Sequence, residues 1–175
     1  MLEVRSTAGI EHKGRTVTGY AAVYGSPADL GDFSETILPG AFDASLRDGQ
    51  NIRALYHHQG AAILGSTRAQ TLRLRSDAKG LAFELDLPNT TAGNDVLELV
   101  KRGDVAGCSF GFRLSPGGDA WEHRNGKPCR ELRAVELIEV TLTADPAYGD
   151  TSVALRCAAR LAFDANRAWL ETVRC

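Results

Sequence analysis

The sequence predicts a mainly β domain with flanking helices (α+β), its antiparallel strands forming a closed or nearly closed barrel, with one central and one C-terminal helix. Three observations carry this expectation. Glycine occurs 18 times in 175 residues, about once in ten, so it punctuates many short segments. Two neighbouring segments, 71–75 and 81–87, alternate apolar and polar residues around a glycine-containing loop, the period-two signature of a half-buried hairpin. Sustained helical periodicity is confined to 91–102 and 156–175. Many short strands leave many unpaired edges, and closure removes them, which favours a barrel.

Taken in order, Arg15 to Tyr24 is rich in β-branched and aromatic residues and reads as a strand stopped by Gly25-Ser26-Pro27. Glu35 to Leu38 is a second, ended by Pro39-Gly40, and Ala41 to Arg47 has room for two helical turns before Asp48-Gly49. Ile52 to His58 reads as strand, and the hairpin Thr71 to Leu87 follows. Thr91 to Arg102 is helical because Val96, Leu97 and Val100 share one stripe, Asp95 and Glu98 are polar, and Gly103 suits the left-handed position after a helix. Gly107 to Leu114 is a strand, Pro116 to Lys127 a loop or hairpin turning at Asn125-Gly126, and Arg130 to Thr143 one or two strands. Beyond Pro146, Thr151 to Leu155 makes one more short segment. Residues 156–175, rich in Ala, Leu and Arg, read as an amphipathic helix with Leu161, Ala165 and Ala168 on its apolar side. No repeat or linker divides the chain, so 1–155 reads as one barrel domain and 156–175 as a helical extension.

Composition narrows the function. With 20 Lys+Arg against 22 Asp+Glu and a net charge of -2, the chain lacks the basic surplus that a phosphate-neutralising groove needs, so nucleic acid is not expected as its main partner. At 43% hydrophobic and 24% charged it has the composition of a folded globule. No stretch approaches the roughly 18 apolar residues of a membrane span, and Met1-Leu2-Glu3-Val4-Arg5 lacks the apolar core of a signal peptide. A soluble, cytoplasmic protein with no membrane partner is therefore expected. Cys108, Cys129, Cys157 and Cys175 form no CxxC pair, and with His12, His57, His58 and His123 they do not supply the close ligand spacing of structural zinc. Free thiols are expected, with no metal and no cofactor. Nor is there a glycine loop followed by Lys-Ser/Thr to cradle a nucleotide.

Three places carry candidate chemistry. In the strand Gly107 to Leu114, alternation turns Cys108, Phe110 and Phe112 to one face and Ser109 and Gly111 to the other. The aromatic face belongs in the core. A hydroxyl beside a residue without a side chain admits a substrate backbone closely, though small residues also serve plain packing on a crowded face. His57 and His58 end the strand before Gln59-Gly60 and so point to opposite faces, one towards a site and one towards solvent. Imidazole is the usual base for activating a serine. In Leu137 to Thr143, Ile138, Val140 and Leu142 form the apolar face, and Glu139 lies with Thr141 and Thr143 on the more polar one. A carboxylate there either orients a histidine or is a solvated edge charge. Glu136 faces the other way.

Together these segments resemble the prohead proteases of tailed phages and of related prophage-derived particles, a family similar in fold to the herpesvirus assemblins. The matching landmarks are Phe33-Ser34-Glu35-Thr36-Ile37-Leu38-Pro39-Gly40-Ala41-Phe42, Ala54-Leu55-Tyr56-His57-His58 with Ile63-Leu64-Gly65, and Asp77-Ala78-Lys79-Gly80-Leu81. Lys101-Arg102-Gly103-Asp104-Val105 then leads into Ser109-Phe110-Gly111-Phe112, and Ile138-Glu139-Val140-Thr141 precedes Pro146-Ala147-Tyr148. The resemblance implies a serine endopeptidase with Ser109 as nucleophile, His58 as base and Glu139 as the third member. Gln59 stands where the family usually has Asp. It further implies the major capsid protein and its scaffold segment as substrates, possible self-cleavage, a possible homo-oligomer, and action inside the assembling procapsid in the cytoplasm of the bacterial host. The rival readings are a catalytically silent assembly or scaffolding module of the same fold, and a barrel that binds a small ligand beside Ser109 and Gly111.

Overall fold

The computed structural model describes residues 2–124 and 126–144. The segment Thr151 to Leu155 and the helix expected over 156–175 lie outside the described residues.

The chain opens with β1 (Glu3–Ala8) and β2 (Glu11–Lys13), then β3 (Thr16–Val23), β4 (Ala28–Asp29) and β5 (Ser34–Ile37). The short helix α1 (Asp43–Arg47) leads into β6 (Arg53–Tyr56) and β7 (Gln59–Ser66), and the expected hairpin is β8 (Leu72–Ser76) with β9 (Gly80–Asp86). Helix α2 (Thr91–Arg102) precedes β10 (Gly107–Leu114), β11 (Asp119–Arg124), β12 (Lys127–Leu132) and β13 (Val135–Thr143). Of these, β1, β2, β4 and β7 are not among the strands expected from the sequence. Neither described helix is long and apolar enough to cross a membrane.

The described strands do not close into one barrel. Among the described residues they fall into three sheets, ordered β1-β10-β13-β6-β7, β11-β12-β5-β4 and β2-β3-β9-β8. Most pairs are antiparallel, but β12 with β5 and β13 with β6 are parallel. Parallel partners need a long crossover, so they are remote in sequence and leave no turn signal between them. Edges are managed by packing instead of closure. β3 lies against β1 and β10, and the Thr7 hydroxyl of β1 donates to the Tyr20 carbonyl of β3. Between the first and the β11-β12-β5-β4 sheets runs an ion cluster: Arg130 reaches Glu3 at 2.7 Å and Asp119 at 2.8 Å, and Arg5 meets Glu35 at 2.8 Å. Arg130 and Glu35 are both buried, so the cluster stays costly unless every member remains paired.

Two devices hold the strands that matter for the site. Helix α2 is capped by Thr90, whose hydroxyl accepts from the Gly93 N–H at 3.2 Å, and ends in Gly103 at φ 83. It buries Val96, Leu97 and Val100 and delivers the chain to β10. Helix α1 anchors β13: the buried Ser45 hydroxyl donates to the Val135 carbonyl at 2.8 Å and accepts from the Leu137 N–H at 2.9 Å. The core lies on the aromatic face of β10, where Phe110 meets Phe42 edge-on at 5.3 Å and Phe112 at 5.4 Å.

Candidate active site

Strand β10 is buried on both faces. Its aromatic face holds Cys108, Phe110 and Phe112 in the core, as alternation requires. Its other face presents Ser109, which is 1% exposed and pairs with Ser6 of β1 on one side and Thr141 of β13 on the other. Burial pushes the Cys108 thiol up, far from the thiolate a nucleophile needs.

His57 and His58 do not end a strand with opposed side chains. They form the two-residue turn of the β6–β7 hairpin, where Tyr56 pairs with Gln59, and both are left-handed, with φ 47 and 57. Positive φ at both central positions marks a type I′ two-residue hairpin turn, which Asn-Gly adopts most readily. Two histidines in that conformation are uncommon, and such backbone strain clusters at functional sites. The His57 N–H donates to the Leu142 carbonyl at 3.2 Å, tying the turn to the end of β13. The His57 ring packs on Tyr56 with centroids 4.4 Å apart.

The tie brings His58 over the β10–β13 pair. Its Nε2 lies 2.7 Å from Ser109 Oγ and its Nδ1 2.6 Å from Glu139 Oε1. An ionised carboxylate only accepts, so the Nδ1 proton is donated to Glu139 and the Nε2 lone pair accepts the Ser109 O–H. Glu139 is 4% exposed and is therefore not a solvated edge charge. Glu136 lies elsewhere, 3.5 Å from Arg113 on the half-exposed side of the strand.

Gly111 pairs with Glu139 across the β10–β13 ladder. A Cβ there would stand 2.9 Å from Glu139 Cγ and 3.3 Å from Oε1. The missing side chain makes room for the carboxylate, where the sequence reading gave that room to substrate. Thr141, directly opposite Ser109, is a member of this face whose significance sequence reasoning missed. Its place in the alternation beside Glu139 was visible, but the register that sets it against Ser109 was not. Among the described residues no group of three or more His, Cys, Asp or Glu could hold a metal ion.

A buried serine, an imidazole and a carboxylate stand here in one hydrogen-bonded line on a β scaffold, the arrangement by which serine hydrolases activate a serine. The family model of the caudovirus prohead serine protease matches residues 1–164, and the chain belongs to that family. Among solved structures it is similar to the bacteriophage T4 capsid assembly protease gp21, with a TM-score of 0.55 and 7% identity, over 81% of this chain and 96% of that one. At that identity the likeness concerns the fold. No curated protein matches the chain in sequence.

Proposed function

We propose that the chain is an active serine endopeptidase that cleaves scaffold and capsid protein during maturation of a phage or prophage-derived procapsid. The observation that carries the reading is the unbroken line Ser109 Oγ, His58 Nε2, His58 Nδ1, Glu139 Oε1, with separations of 2.7 and 2.6 Å. Ser109 attacks a peptide carbonyl carbon while its proton passes to His58 Nε2. Glu139 keeps the Nδ1 proton in place and stabilises the imidazolium that forms. The tetrahedral adduct collapses as His58 returns the proton to the leaving amine. Water then repeats the sequence on the acyl-enzyme and releases the second product. No cofactor enters any step.

Family membership supports the choice of substrate, the capsid protein and its scaffold segment, and the place of action, inside the assembling procapsid in the host cytoplasm. Co-expression with the capsid protein of the same phage or prophage, followed by intact-mass measurement, tests it. Wild type should remove a defined capsid segment, and Ser109→Ala should leave it in place, since losing the nucleophile of a triad costs about 10⁶ in turnover. Assembled particles with uncut capsid protein in both cases would reassign the chain to a silent assembly module.

A further inference from the structure

One polar group on the catalytic face has no role in that mechanism. Thr141 is 0% exposed, and its Oγ1 is the one buried side-chain polar atom among the described residues without a hydrogen-bond partner. Its position is specific. In the β10–β13 register Gly111 faces Glu139 and Ser109 faces Thr141, so the His58 bridge from Ser109 to Glu139 runs along a diagonal of the ladder. Thr141 occupies the corner opposite the nucleophile and two residues along the strand from the carboxylate. Directly paired residues of an antiparallel ladder have Cβ atoms about 4.5–5.5 Å apart, which puts two short hydroxyl side chains within reach of each other by rotation about χ1.

Packing alone does not account for this hydroxyl. Valine has the same shape, and burying it carries no cost for a lost hydrogen bond. A buried polar atom left unpaired at rest calls for an explanation, and a role in catalysis is one. Ser109 Oγ changes its bonding during the reaction: at rest it donates to His58, and as that proton leaves its electron density rises and it can accept a hydrogen bond. A donor used only at that moment lowers the barrier without tightening the ground state.

We propose that Thr141 is a further catalytic residue, whose hydroxyl donates to Ser109 Oγ as the serine proton passes to His58. The inference rests on Ser109 being the nucleophile, and the test separates the two claims. A fluorophosphonate probe needs no knowledge of the peptide substrate. Ser109 Oγ bonds to phosphorus, the phosphorus–fluorine bond breaks with fluoride leaving with its electron pair, and the serine proton goes to His58. The full-length protein is labelled as wild type, Ser109→Ala, Thr141→Val, Thr141→Ser and Thr141→Ala, with the rate followed by intact mass and the thermal midpoint of each recorded.

Wild type should label and Ser109→Ala should not. Thr141→Val should label about tenfold more slowly, about 1.4 kcal/mol of barrier, while melting at or above the wild-type temperature. Thr141→Ser should keep its rate within about twofold although it gives up a methyl group. Serine and alanine at this position differ only by the hydroxyl, so their rate ratio carries the same comparison should the valine variant not fold. Labelling of Thr141→Val at the wild-type rate, or equal slowing of the serine and alanine variants, overturns the role of Thr141 and leaves Ser109 as nucleophile. An unlabelled wild type overturns the nucleophile assignment, and the inference falls with it.

Discussion

Gly111 and Glu139 face each other across the β10–β13 ladder so closely that a single added carbon at 111 would stand 2.9 Å from Glu139 Cγ. The carboxylate that holds His58 occupies the space of a missing side chain. Gly111→Ala is therefore expected to displace Glu139 and tilt the imidazole from Ser109, and a shift of about 1 Å at a catalytic group costs roughly 10²-fold in rate. Fluorophosphonate labelling of the variant, set beside its thermal midpoint, checks this. A rate near wild type would show that the carboxylate has another place to go.

Glu139→Gln keeps the shape and removes the charge. The amide can present its N–H₂ to Nδ1, which favours the tautomer with the proton on Nε2 and leaves Ser109 facing a donor instead of a base. A wrong tautomer in a triad of this kind costs about 10⁴ in turnover. Capsid cleavage rates for wild type and variant measure it, and the fold should be retained because the side chain still fits beside Gly111.

The ion cluster between β1 and the β11–β12–β5–β4 sheet makes stability depend on acid. Burial pushes the Glu3 carboxyl up, but Arg130 and Arg5 more than offset this and hold it below its ordinary value of 4.5. A carboxyl with a depressed folded pKa stabilises the fold above its unfolded value, and the contribution is lost as pH falls through the folded one. Urea midpoints of wild type and Glu3→Gln should therefore differ at neutral pH, and the gap should shrink as the pH falls from 4.5 and close below the depressed folded value. A gap that stays constant with pH would refute the linkage.

Ser45 bonds to the backbone of β13, the strand that carries Glu139. Its hydroxyl satisfies both the Val135 carbonyl and the Leu137 N–H, so Ser45→Ala leaves two buried backbone groups unpaired. The expected loss is about 2 to 3 kcal/mol in chemical denaturation. Labelling at Ser109 should slow far less than in Gly111→Ala, because Glu139 lies farther along the strand.

Local patterns made much of this chain legible. Helix 91–102 is readable from its apolar stripe and its closing glycine, the hairpin 72–86 from strict alternation, and the two faces of β10 from Cys108, Phe110 and Phe112 against Ser109 and Gly111. Ser109, His58 and Glu139 stand out as residue types suited to the chemistry. The histidine turn looks like strand in the sequence because neither His57 nor His58 is a residue that announces positive φ. The short or irregular strands β1, β4 and β7 carry too little periodicity to register.

The strongly patterned segments, helix 91–102, the hairpin 72–86 and the two faces of β10, are legible in the sequence because they follow from backbone sterics and side-chain hydrophobicity over a few residues. Only the tertiary structure decided the three open sheets, the parallel pairs, and the meeting of Ser109 with His58 from 51 positions away and of His58 with Glu139 from 81. Pairing register is settled by the sum of many contacts between distant strands, and no short stretch of sequence contains that sum. The same register sets Gly111 against Glu139 and Thr141 against Ser109.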